Sequence, residues 1–233
     1  MTPGRSTVYI CPHCGAMKAV WAMASGNTCC GETIWSDAKR YNPMMEYASF
    51  VQQCPMCKHY FITRTTNHKR ANTIYTFNKG ELPYSNLKEA LQEFSTNGLK
   101  GKDEYTVRLM VLHAYNDLYG NTENKNIPAE ELEFMRQNIL RLLPLSQDKV
   151  LRSELYREIG EFDKCLTTLT NIHPRSEFEQ MIVSKIRGHC MQEDTKIFTL
   201  VGGSERTAVT CADDEPAYDP NKDVSKNEDD DWW

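Results

Sequence analysis

The chain has 233 residues, a formal net charge of −5, 40% hydrophobic and 25% charged residues, which is ordinary for one large or two modest globular domains. No stretch approaches the ~20 apolar residues of a bilayer-spanning helix, so no membrane association by that route is expected. The charge is unevenly spread: +6 over residues 1–80, −4 over 81–203 and −7 over 204–233, which implies three regions with different tasks.

Residues 1–80 hold six of the nine cysteines and two of the four tryptophans. Short β-branched and aromatic runs at Val8–Ile10, Ala19–Trp21, Thr33–Trp35, Tyr60–Thr63 and Thr73–Phe77 predict strands separated by Gly, Asn and Pro. No helical period competes with them, so this region reads as a small β-rich module.

From Asn86 the period changes. Leu87, Ala90, Leu91 and Phe94 fall on one helical face, with Asn86 as N-cap and Glu89 three residues on. Val107, Met110, Val111, Ala114, Tyr115 and Leu118 predict a second helix ending near Gly120. Pro128 opens a third, with Glu130 and Glu131 at the positive end of its dipole and an apolar face of Leu132, Met135, Ile139, Leu142 and Leu143. Three more are predicted over about 146–159, 161–172 and 176–191 by faces that hold Leu151 and Leu155, Cys165 and Leu169, and Phe178 and Ile186. The short loops between them require antiparallel neighbours, so residues 81–203 read as an all-α domain. Lys196–Val201 reads as one short added strand, and 204–233 as an acidic tail that buries too little apolar surface to order itself.

Cys11-Pro12-His13-Cys14 recurs as Cys54-Pro55-Met56-Cys57. Two residues between cysteines let one tight turn aim both sulfurs at a single point, and two such turns supply the four soft ligands of a tetrahedral zinc ion. The 39 residues between the pairs are many for a minimal zinc ribbon and require extra structure. Cys-Pro-His-Cys also suits a thiol–disulfide oxidoreductase, but that chemistry needs a helix starting at the motif within a βαβ frame. Gly15 follows the motif directly, no such frame is visible, and the second pair would have no role. Cys11, Cys14, Cys54 and Cys57 are therefore the expected ligands of a structural zinc, in a closed site with no position left for catalysis. Cys29 and Cys30, being adjacent, suit a turn with ordinary thiols. The first residues, Met1–Thr7, hold no apolar signal core, so a cytoplasmic, reducing setting is expected, where cysteines serve metals rather than a disulfide framework.

Lys39, Arg40, Arg64, Lys69 and Arg70, interleaved with aromatic residues, are a candidate nucleic-acid face, since basic side chains contact phosphates and rings stack on bases. The same residues also fit the solvated surface of a small metal-stapled domain. Trp232 and Trp233, at the end of the acidic tail, are candidate anchors in a partner's pocket, or part of an unstructured solubilising tail.

Residues 146–174 place Tyr156, Gly160, Phe162, Cys165, Leu169, Ile172 and Pro174 in a pattern similar to the tetratricopeptide repeat, with Gly160 at the corner between helices and Cys165 as the small residue at their crossing. Two Cys-Pro-x-Cys pairs joined to such a region resemble uncharacterised bacterial proteins of the DUF2225 type, a resemblance that brings no established activity. No nucleophile–base pairing or phosphate loop stands out. The expected fold is thus α+β, a β-rich zinc ribbon followed by a tetratricopeptide-like helical domain. The expected role is a non-enzymatic, zinc-binding adaptor for a protein or peptide. Nucleic-acid binding is the alternative, and thiol oxidoreduction a third.

Overall fold

The computed structural model describes residues 2–26, 31–42, 49–72, 82–120 and 127–202. Among the described residues the fold is α+β: small strand sheets in the N-terminal part are followed by six helices. The described residues separate into two compact units, 2–26 with 49–72, and 31–42 with 83–202. The predicted strand Thr73–Phe77, Cys29, Cys30 and the whole tail with Trp232 and Trp233 lie outside the described residues.

The first unit is built from hairpins. Strand β1 (Thr2–Ile10) pairs antiparallel with β2 (Met17–Ser25), with Ile10 opposite Met17 where the chain reverses. Two further strands of this unit, β5 (Val51–Gln53) and β6 (Tyr60–Ile62), pair with Gln53 opposite Tyr60. A 3-10 turn at Thr63–Thr65 then leads to β7 (His68–Arg70), which adds to β1 in the sheet order β2-β1-β7. Val8, Val20, Trp21, Val51, Phe61 and Ala71 are buried.

The second unit starts with β3 (Thr33–Trp35) and β4 (Arg40–Tyr41), which form a hairpin, and β3 also pairs with β8 (Thr199–Val201). The strand expected at 196–201 is therefore present, shortened to Thr199–Val201. Through this pairing residues 31–42 belong to the second unit and form a sheet with the end of the helical region. Ladder hydrogen bonds explain the placement, because an isolated hairpin of two- and three-residue strands gains little until a third strand covers its open edge.

Helices α1 (Tyr84–Thr96), α2 (Gly101–Tyr119), α3 (Ala129–Leu142), α4 (Lys149–Glu158), α5 (Phe162–Thr170) and α6 (Glu177–Met191) follow. The apolar period located each of them, and Leu87, Val111, Ile139, Leu155, Leu169 and Ile186 are all buried as expected. The caps differ in one place. Asn86 lies inside α1, whose N-cap is Pro83, while Asp148 and Ser176 cap α4 and α6 through their side-chain oxygens. Leu132 and Phe178, expected on inner faces, are exposed.

Between α4 and α5 the chain reverses at Gly160, at φ +75°, with the Gly160 and Glu161 amides donating to the Arg157 and Tyr156 carbonyls. This is the helix-ending pattern in which a left-handed residue lets the last carbonyls find donors. Cys165 is fully buried beside Val183, Ile186 and Cys190, where a small side chain allows α5 and α6 to approach. Helices α1 with α2, α2 with α3, α4 with α5 and α5 with α6 pack as sequential neighbours.

Candidate metal centre

The two Cys-Pro-x-Cys motifs are hairpin loops of equal length, 11–16 between β1 and β2 and 54–59 between β5 and β6. Their backbones match bond for bond. The Cys11 amide donates to the Ala16 carbonyl at 2.8 Å, as the Cys54 amide does to the His59 carbonyl at 2.9 Å. The Gly15 amide donates to the Cys11 carbonyl at 2.9 Å, as the Lys58 amide does to the Cys54 carbonyl at 3.1 Å. The second loop is braced further by the Gln53 side-chain amide on the Lys58 carbonyl and by Lys18 on the Gln53 carbonyl.

These turns bring the sulfurs of Cys11, Cys14, Cys54 and Cys57 within 4.8 Å of one another. Cys11 Sγ lies 3.6 Å from Cys57 Sγ and Cys14 Sγ 3.5 Å from Cys54 Sγ, and all four are free thiols. A tetrahedron with metal–sulfur bonds of about 2.3 Å places its sulfurs about 3.8 Å apart, so the donor set fits one metal ion with a small adjustment. Cys11 and Cys54 are buried against Phe61 and Tyr9, and Cys14 faces outward. The Ala16 amide donating to its sulfur brings the Cys14 thiol down to about 7. Burial raises Cys11, and pushes Cys57 up to about 12. On the exposed side of the loops the His13 and His59 rings stack at 4.5 Å.

The candidate nucleic-acid residues fall in both units. Lys39 and Arg40 belong to the second unit, where Lys39 pairs with the Asp117 carboxylate and Arg40 Nη1 with Glu32 Oε2 at 3.3 Å. Arg64 lies in the 3-10 turn, and Lys69 and Arg70 on β7, an edge strand whose residues are all exposed.

A buried polar junction in the second unit went unread in the sequence. The Asn116 side-chain amide donates to Asp37 Oδ2 at 3.0 Å and to Glu158 Oε2 at 3.2 Å, and His113 Nε2 donates to the Asp37 carbonyl at 3.0 Å. Close by, Arg157 is fully buried and forms a two-point pair with Glu154. No local pattern announces such a group, since its members come from a turn and two helices far apart in the chain.

Among the described residues no helix is long and apolar enough to cross a membrane. No family model, no curated protein and no solved structure matches the chain.

Proposed function

We propose that the protein is a zinc-stabilised, non-enzymatic adaptor in which Cys11, Cys14, Cys54 and Cys57 hold one structural zinc and the helices bind a protein or peptide. The observation that carries the reading is the pair of matched hairpin loops whose four thiols converge. Four sulfurs close the coordination sphere, and hairpin loops of this kind are the frame of a zinc ribbon. Zinc binding to such a set is worth about 10–16 kcal/mol in small peptides, enough to organise a unit that rests on short strands. The Gly160 corner and the buried Cys165 support a tetratricopeptide-like arrangement of α4 and α5, a class of repeat that presents extended surfaces to partner chains. The same reading places the protein among the DUF2225-type bacterial proteins it resembles, and in the cytoplasm, where thiols stay reduced.

Metal analysis of protein purified without chelators tests the centre: one zinc per chain is expected, and cobalt substitution should produce the intense thiolate-to-cobalt absorption of a four-sulfur site. A metal-free protein whose Cys14 forms a mixed disulfide with small thiols would replace this reading with thiol exchange. Nucleic-acid binding is favoured by one specific observation, the exposed run His68-Lys69-Arg70 along an edge strand. Its mark would be retention on DNA or RNA that falls steeply with salt and is lost on replacing Arg64, Lys69 and Arg70 together.

A further inference from the structure

The described part of the first unit, residues 2–26 and 49–72, carries Arg5, Lys18, Lys58, Arg64, Lys69 and Arg70 and no aspartate or glutamate, an excess of +6. The adjoining segments 43–48 and 73–81 add Lys79 against Glu46 and Glu81, which brings it to +5. A zinc ion held by four thiolates would contribute −2 and leave +3. The excess belongs to the unit as a whole, so a hydrogen bond made by any one cation leaves it unchanged. Part of it is concentrated at one edge. His68, Lys69 and Arg70 form β7, the outer strand of the sheet β2-β1-β7, and all three are exposed, as is Arg64 in the turn before it. Tyr9 of β1 lies opposite His68, their rings 5.7 Å apart. Strand β1 ends beside them with Ile10, an exposed apolar residue whose amide donates to the Asn67 carbonyl at 2.9 Å. The edge thus offers cations along β7 and an apolar step, Ile10 with Tyr9, at its start.

One segment of the chain has the complementary order. Glu228-Asp229-Asp230-Asp231 runs directly into Trp232-Trp233, within a region, 204–233, of net −7. The 24 residues from 204 to 227 reach up to about 80 Å when extended. We propose that residues 228–233 dock on this edge in cis, the four carboxylates against Arg64, Lys69 and Arg70 and the two indoles against Ile10 and Tyr9, so that the chain screens its own basic face from other polyanions. Opposite charges give the contact its direction, and indole rings beside guanidinium groups and apolar side chains add contact area that carboxylates do not supply. Tethering removes the need for tight intrinsic affinity: a segment held at ~1 mM effective concentration stays bound with an intrinsic Kd of only ~0.1 mM. The contact is sensitive to salt, because exposed charges are screened beyond about 10 Å at 0.1 M salt and about 3 Å at 1 M. It rests on neither the zinc site nor the adaptor reading.

The test uses the full chain and NMR of the Ile10, His68, Lys69 and Arg70 amides. At low salt, about 50 mM, E228Q/D229N/D230N/D231N should shift these amides and leave those of α5 and α6 in place, while W232A/W233A should shift Ile10 most. At about 1 M salt the parent and the acid-neutralised variant should give the same spectrum in this region. The four acid substitutions should also tighten binding of heparin, a sulfated polyanion used as probe, about tenfold at low salt, the factor lost to a tethered competitor of the strength above. In a background of Lys69→Gln with Arg70→Gln that gain should vanish, and a gain that persists there overturns the proposal. So do β7 amides that respond to neither tail variant, whatever heparin does. Shifts that grow with protein concentration, with a dimer in sedimentation, assign the segment to a neighbouring copy and overturn docking in cis. Amides that ignore the tail variants but move on adding a DNA or RNA oligonucleotide give the face to nucleic acid instead.

Discussion

Lys58 stands in the second cysteine loop where Gly15 stands in the first. Both adopt left-handed backbone, at φ +61° and +74°, and the amide of each donates to the carbonyl of its leading cysteine. A side chain in that conformation costs about 1 kcal/mol, and a β-branched one more. Lys58→Gly should therefore leave the stability of the metal-loaded first unit within about 1 kcal/mol of the parent, whereas Lys58→Val should lose about 1–3 kcal/mol. Urea titration followed by NMR of the β1–β2 amides distinguishes the two, and equal midpoints would contradict the role given to this residue.

Cys54 is fully buried and central to the sulfur cluster. Cys54→Ser should abolish stoichiometric zinc and unfold the first unit, with the helices of the second largely intact. Circular dichroism at the helical wavelengths should change little while the β1 and β2 NMR signals collapse. Unchanged β signals with zinc absent would show that the metal does not organise this unit.

Glu131 ties α3 to α1, accepting from Lys88 Nζ at 2.6 Å and Tyr84 Oη at 2.5 Å. Burial works against its charge, but these two donors hold its carboxyl below the ordinary value. Glu131→Gln should cost about 1.5–3 kcal/mol at pH 7, the range of a charge-assisted hydrogen bond. A depressed carboxyl contributes stability above its unfolded pKa and loses it as pH falls through the folded one. The gap between variant and parent should thus close in acid, below the usual carboxylate range, in denaturant midpoints taken from pH 7 to pH 3. A gap constant with pH would assign the loss to packing instead.

Gly202 closes β8 against β3. A Cβ there would lie 2.6 Å from Thr33 Oγ1 and 2.8 Å from Thr33 Cα, and its φ of +88° disfavours any other residue. Gly202→Ala should cost about 1–3 kcal/mol and speed amide exchange in β3 while leaving α5 and α6 protected. Uniform protection across the unit would mean that this strand pairing contributes little.

The cysteine loops were legible in the sequence because their chemistry is local: two cysteines two residues apart, a proline between them and a residue able to turn left-handed immediately after. The six helices were legible for a related reason, since a period of 3.6 marks each buried face whatever it packs against. Leu132 and Phe178 show the limit of that signal, for periodicity states which residues share a face without stating that the face is covered. The membership of residues 31–42 was not legible, because β3 and β4 resemble any short strands and their pairing is set by a partner, β8, that lies more than 150 residues further on. Lys39 and Arg40 belong to the second unit for the same reason.

The sequence by itself determined the local elements, the two cysteine loops and the helical faces, which depend on spacing along one segment. Only the tertiary structure decided where residues 31–42 belong and that Asp37, Asn116 and Glu158 meet. Ladder pairing and the shared desolvation of buried charges depend on which distant segments come together, and no single segment carries that information.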